Sequence, residues 1–182
     1  MTGMGDDARP VEVVPYDPSW PARFEAERLL LSDALPTTLG IEHIGSTSVP
    51  GLMAKPIIDI QAVVPEVDDV LADLAPLRRL GYVHRPLAFP ADGDHLFLVK
   101  DTAGRRSQHL HVFRVTSGAP EENRLFRAYL TTHPGAARRY EAAKRRAAER
   151  HPDSRARYAL AKEEEFLRLL TEARLWGRSG DD

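Results

Sequence analysis

Four small residues in a row, Gly45-Ser46-Thr47-Ser48, stand shortly before a lysine, Lys55, and a carboxylate, Asp59. That combination suits a phosphorylated ligand. A nucleoside triphosphate needs backbone N–H groups and hydroxyls gathered in a tight turn, and a glycine lets the chain approach closely. Gly45, Ser46 and Thr47 supply such donors for the β- and γ-phosphates, and Lys55 stands where a cation meets phosphate. The phosphates also bring Mg²⁺ (or Mn²⁺), which takes carboxylate oxygens on a rigid support. Asp59 is the candidate. Strand residues alternate faces, so Asp59 and Gln61 point one way while Ile58, Ile60, Ala62 and Val64 face a core. The bland alternatives are an ordinary surface loop for the Gly-Ser run and a solvated sheet residue for Asp59.

A second cluster lies in Gln108 to Phe113, where His109, His111 and Phe113 share one strand face. Two imidazoles two residues apart can ligate one metal ion, or divide between acid–base work and phosphate orientation. The alternative is a pair of hydrogen-bonded sheet residues. His43 either shares the site or packs beneath it, and His84, His95, His133 and His151 carry no assigned role. Farther on, Tyr140 and Lys144 are four apart, as are Tyr158 and Lys162, so each pair shares a helix face. Such a pair can stack a base and contact a phosphate, or it can pack its ring while the lysine snorkels to water. Lys144, Tyr158, Lys162 and Arg127 are the nucleotide-binding candidates from this half.

The elements that must position these residues are legible in outline. Ser19 reads as a cap and Pro21 as first turn of a helix whose Trp20, Phe24, Leu31 and Leu35 share a face. Ile41 to Ile44 and Pro56 to Val64 read as strands separated by a loop rich in Gly, Ser, Thr and Pro. Val67, Val70, Leu71, Leu74 and Leu77 form one helical stripe ending at Gly81. Tyr82 to Arg85 is a short strand, and His95 to Lys100 with Gln108 to Val115 form a hairpin around residues 101–104. After Pro120 three helices follow, divided at His133-Pro134 and His151-Pro152. The expected class is α/β (α+β): a mixed sheet flanked by helices, with a C-terminal helical section. Residues 1–10 are expected to be a flexible tail, 11–118 the core, 119–177 the helical section, and 178–182 a second tail.

A Gly-Ser turn closing one strand, with an acidic residue in the next, is the nucleotidyltransferase pattern. The runs Ile41 to Leu52 (IEHIGSTSVPGL), Lys55 to Ile60 (KPIIDI), His109 to Val112 (HLHV) and Leu125 to Leu130 (LFRAYL), with Tyr140, Lys144, Tyr158 and Lys162, resemble the GrpB family. The resemblance covers roughly Val11 to Leu170. It implies a nucleotidyltransferase-like fold, and some members of the family are fused behind dephospho-CoA kinase. That superfamily carries a pair of acids, Asp-x-Asp or Asp-x-Glu, and here the second position is Gln61. The resemblance places His109 and His111 where the superfamily's third metal carboxylate stands, so either can replace an acid. The expected metal ligands are therefore Asp59, Gln61, His109 and His111, with Asp59, Lys55 and His111 as the catalytic set.

Composition narrows the rest. The 182 residues are 42% hydrophobic and 29% charged, ordinary for a globular chain, and contain no cysteine. Disulfides, thiolate zinc sites and cysteine nucleophiles are excluded. No window approaches a membrane span, and Met1 to Pro10 lacks the apolar stretch of a signal peptide, so the cytoplasm is the expected location. From Glu121 onward there are 14 basic and 11 acidic residues, against a net charge of −2 overall. This speaks against nucleic acid as a partner and leaves room for a local phosphate patch. The expected function is a metal-dependent enzyme that uses ATP or another nucleoside triphosphate and transfers a nucleotidyl group to a small-molecule acceptor. With a carboxylate acceptor and an amine to capture the product, it would behave as a ligase. The alternative is a nucleotide-binding or regulatory module without transfer activity.

Overall fold

Ile58, Ile60, Ala62 and Val64 all point to one side of the second strand and are fully buried. They build the sheet from its middle. β1 (Gly40–Ile44), β2 (Ile58–Val64), β3 (Tyr82–His84), β4 (His95–Thr102) and β5 (Arg105–Arg114) lie in the order β1-β2-β5-β4-β3. β2 and β5 run parallel and the other neighbours antiparallel, which gives the mixed sheet expected. The helices are α1 (Trp20–Ala34), α2 (Val67–Ala72), α3 (Ala75–Arg79), α4 (Ala119–Thr132), α5 (Pro134–Arg150) and α6 (Arg155–Ser179). The computed structural model describes residues 11–89 and 93–179. The tail read at residues 1–10 lies outside the described residues, as do 180–182, while α6 runs two residues into the stretch read as a second tail.

One sheet face holds the main core. Ile58, Ile60, Leu98, Leu110 and Val112 pack against Trp20, Leu31, Val67, Val70 and Leu77 from α1, α2 and α3. A buried side chain of this size contributes roughly 1.5–3 kcal/mol. A second cluster joins Val49 and Leu52, just after the Gly-Ser turn, to Tyr129, Leu130, Tyr140 and Leu169 of the C-terminal helices. Those helices are thus anchored through the turn's own loop. The other sheet face, which carries Asp59, His109 and His111, is left to line a cleft between sheet and helices.

Three local expectations change. The stripe from Val67 to Leu77 is two short helices, because Pro76 has no N–H to continue the ladder, and the Asp73 carboxylate between them accepts the Ala75 N–H (3.0 Å). Ser19 holds the N-cap position of α1, but its hydroxyl makes no capping bond; its own N–H donates to Asp17 Oδ1 (2.8 Å). The β4–β5 turn shrinks to Ala103 and Gly104, with φ of 50° and 75°, the left-handed pair that matches the twist of a two-residue hairpin. A register shift at Lys100/Asp101 then sets His95 opposite Phe113.

Candidate functional site

The Gly-Ser run turns sharply between β1 and β2. Gly45 has φ of 69°, and a Cβ there would stand 2.4 Å from Asp59 Oδ2, so both backbone and neighbour demand glycine. Gly45→Ala is expected to lower unfolding free energy by about 2 kcal/mol and to displace the Asp59 carboxylate. Denaturant titration, with the Asp59–His109 contact followed by NMR, measures both. Ser48 Oγ donates to the Gly45 carbonyl (2.6 Å) and tightens the turn, while Ser46 lines the cleft.

Thr47 departs from its expected role. Its side chain is buried, and its hydroxyl donates to the Ile57 carbonyl (3.3 Å) and meets His43 Nε2 (2.9 Å). That hydroxyl holds the turn to β2 and has no place on a phosphate. His43 packs beneath, its ring stacked on Phe24 at 4.9 Å, and burial pushes its pKa down to about 4. It is neutral at pH 7 and structural.

The parallel register puts Asp59 beside His109 and Gln61 beside His111. Asp59 Oδ1 lies 2.8 Å from His109 Nδ1, and the side chain keeps 29% exposure toward the cleft. Burial raises its pKa, but the His109 hydrogen bond first, with neighbouring charge that includes Lys55, outweighs burial and holds it below the usual carboxylate range. Gln61 is different. Its amide donates to the Pro120 carbonyl (3.2 Å), lies 3.5 Å from Glu42 Oε1, and accepts from Asn123 Nδ2 (3.0 Å). Gln61 is fully buried, and it pins the start of α4 to the sheet instead of completing a metal shell. His111 contacts His95, with Nδ1 and Nε2 3.0 Å apart and the rings stacked at 5.1 Å. Burial pushes His111 down to about 3, so it is neutral and a poor proton acceptor at pH 7.

The four expected metal ligands therefore do not converge. Among the described residues, no three His, Asp or Glu side chains are grouped to hold an ion. Asp59 is the one carboxylate on the cleft walls among those residues, so the two-ion arrangement does not fit. A single Mg²⁺ keeps most of its shell from water and phosphate oxygens and needs only one or two carboxylates. Asp59, open to the cleft, suits that lesser role.

The C-terminal helices bring the cations. Lys144 is 2% exposed, donates to the Met53 carbonyl and lies over the Tyr140 ring at 4.9 Å. Burial, then the charge of Lys162, push it down to about 7. Lys55 sits over the Tyr158 ring at 5.2 Å and falls to about 8, through burial and then Lys162. Lys162 donates to the Tyr140 hydroxyl (3.2 Å) and lies near both tyrosine rings; Tyr140 first, and Tyr158 after the opposing burial, raise its pKa. Arg127 donates to the His43 carbonyl (2.7 Å) from the rim.

The cleft has two lobes. A lysine lobe of about 310 Å³ is lined by Lys55, Lys144, Lys162, Tyr158, His109 and Thr47. An aromatic lobe of about 400 Å³ adjoins it. The two share Ser46, Asp59, Phe89, His111 and Lys162. Sequence reasoning missed His95, Phe89 and Asn123. The signal for His95 was its parity with Phe97 on β4, opposite to Leu96 and Leu98, which face the core.

The GrpB protein family model matches residues 10–172. The UPF0157 protein PA4798 of Pseudomonas aeruginosa is 41% identical over 176 residues, covering 92% of this chain and 69% of its own length. A dephospho-CoA kinase of Mycobacterium tuberculosis is 33% identical over 197 residues, which take in 92% of this chain but 47% of the kinase, so the chain spans about half of that protein. The crystal structure of the conserved protein GrpB from Enterococcus faecalis superposes with a TM-score of 0.81 at 32% identity, over 91% of this chain and 99% of that one. Among the described residues, no helix is long and apolar enough to cross a membrane.

Proposed function

This chain belongs to the GrpB family, and from that premise we propose that its cleft binds a nucleoside triphosphate carrying one Mg²⁺ and transfers a nucleotidyl group to a small acceptor. The observation that carries the reading is the convergence of Lys55, Lys144 and Lys162 on one cavity beside the Gly-Ser turn. Three ammonium groups so close repel one another and are costly to bury, and a polyanion relieves both effects. Lys55, Lys144 and Lys162 hold the phosphates, with N–H groups of Ser46 and Thr47 at the turn. Asp59 meets the ion that arrives with the triphosphate, and the ion offsets phosphate charge. Tyr158, buried in the same lobe with Lys55 over its ring at 5.2 Å, backs the phosphate-holding lysines.

In the transfer, an acceptor oxygen attacks the α-phosphorus and the bond from that phosphorus to the bridging oxygen breaks. Pyrophosphate leaves with the electron pair. His109 takes the acceptor's proton, its ring held by Asp59. Of the two imidazoles to which the sequence left acid–base work open, this reading gives that role to His109. A second reading, a nucleotide-binding module without transfer, is favoured by the commitment of Gln61 to Pro120 and Asn123, which leaves a single carboxylate in the cleft.

Calorimetry with ATP is expected to give clear heat with Mg²⁺ and a much weaker response in excess chelator. No heat in either buffer would sink nucleotide binding altogether. Steady-state release of pyrophosphate in the presence of candidate acceptors separates transferase from module.

A further inference from the structure

The aromatic lobe is built differently from its neighbour. From the sheet come His95, His111 and Phe113, whose rings lie nearly parallel: 13° between His95 and His111, 20° between His95 and Phe113. From the helices come Phe126, Tyr140 and Phe166, packed edge to face, with Phe126 4.9 Å from Phe166 and 5.5 Å from Tyr140. Two aromatic walls on separate elements enclose a space of about 400 Å³, the small end of the range for small-molecule sites. One cation belongs to this lobe and not to the other: Arg127. It spends an Nη1–H on the His43 carbonyl and forms no ion pair among the described residues. A guanidinium has five donors, so most of its recognition capacity is left for a ligand.

We propose that this lobe binds a small planar aromatic anion, of the aromatic carboxylate class, with its ring between the two walls and its charge on Arg127. The assignment rests on the nucleotide reading of the lysine lobe and names the class of the second ligand. Ring walls favour a flat π system over an aliphatic one of equal size, and a guanidinium matches a carboxylate through two parallel hydrogen bonds. A nucleobase shares the flat ring but has no anionic group for Arg127. With both lobes filled, the two ligands meet at the residues common to the lobes: Ser46, Asp59, Phe89, His111 and Lys162.

Three probes test the assignment on the full chain: benzoate, cyclohexanecarboxylate and adenosine, each titrated by NMR with the His95 and His111 ring protons as reporters. Benzoate is expected to shift those protons and to bind about tenfold more tightly than cyclohexanecarboxylate, the fold-change that ring contacts of this kind supply. Phe126→Leu removes a half-buried ring that lines this lobe and not the lysine lobe, and leaves an apolar side chain in its place, so the fold tolerates it. It is expected to weaken benzoate roughly fivefold and to leave ATP affinity unchanged. Arg127→Lys keeps the charge but loses the paired donors, and is expected to weaken benzoate about tenfold. Adenosine shifting the same ring protons while benzoate does not, or Phe126→Leu weakening ATP, would put the base in this lobe and overturn the proposal. Silence from benzoate and adenosine alike also overturns it. Failure of ATP to bind while benzoate does would instead strike the nucleotide reading.

Discussion

Asp59→Asn is expected to weaken binding of the Mg²⁺–ATP complex by about a hundredfold or more, while metal-free ATP binds as well as before or better. The change is isosteric and removes one negative charge. Asp59 is the one carboxylate lining either lobe among the described residues, and Lys55, Lys144, Lys162 and Arg127 line the same cleft. Removing the carboxylate makes the cavity more cationic, which favours a bare polyphosphate. It also removes the one carboxylate that the described cleft walls offer an ion, which penalises the complex. A merely structural Asp59 predicts no such opposition of sign. The stability change should be modest, on the order of 1 kcal/mol, since Asn retains an oxygen for His109 Nδ1. The linkage has a definite direction. The folded carboxyl titrates below its unfolded value, so its contribution is present above the unfolded pKa, about 3.9, and is lost as pH falls through the lower folded one. Parent and mutant should therefore converge in stability in strong acid. Calorimetry with and without chelator decides the matter; unchanged affinity for Mg²⁺–ATP with a much lower melting temperature would return Asp59 to a structural role.

Much of this cleft could be read from the chain, because strand parity is a rigid rule. Asp59 beside Gln61, and His109 beside His111, follow from alternation alone, and the apolar run at Ile58, Ile60 and Ala62 fixes which side is core. What parity cannot say is how far a side chain is already engaged. Gln61 shares the face of Asp59, yet Pro120, Asn123 and Glu42 claim its amide, partners 19 to 62 positions away in sequence. Thr47 is lost to Ile57 and His43 in the same way. For His95, parity with Phe97 argues one face and counting back from the β4–β5 turn argues the other. A two-residue turn at Ala103 and Gly104, carried on without the shift at Lys100/Asp101, would put His95 opposite Val112 on the core face. One extra residue moves it to the face of His111, since a single step reverses every side chain. The split of α2 from α3 was available in Pro76, whose missing N–H outweighs an apolar stripe that fits one continuous helix.

The lysine lobe leads to the second large effect, an affinity and a stability that run in opposite directions with pH. ATP affinity is expected to fall as pH rises from 7 past 8, because Lys144 and Lys55 lose their protons near 7 and 8. The unliganded protein should become more stable over the same range. Both lysines titrate in the fold below their unfolded value of about 10.4, so between the folded and unfolded pKa values the unfolded chain binds more protons. Their contribution is full above the unfolded pKa and is lost as pH falls through 8 and 7. The window from about pH 7 to 10 belongs to them: His43 and His111 titrate lower, near 4 and 3, and Tyr158 higher, near 12. Lys162 ties the effects together, since its charge is the second cause of depression at both sites after burial. Lys162→Met should remove one phosphate contact, weakening ATP by about ten- to a hundredfold at pH 7. It should also raise the pKa of Lys144 and Lys55, moving the fall in affinity to higher pH. Side-chain titration of the labelled lysines by NMR, beside ATP titrations at several pH values, reads both. Lysines that titrate near 10.4 in the parent, or an ATP affinity indifferent to pH between 7 and 9, would mean that the three ammonium groups are solvated surface charges, and the phosphate lobe would have no basis.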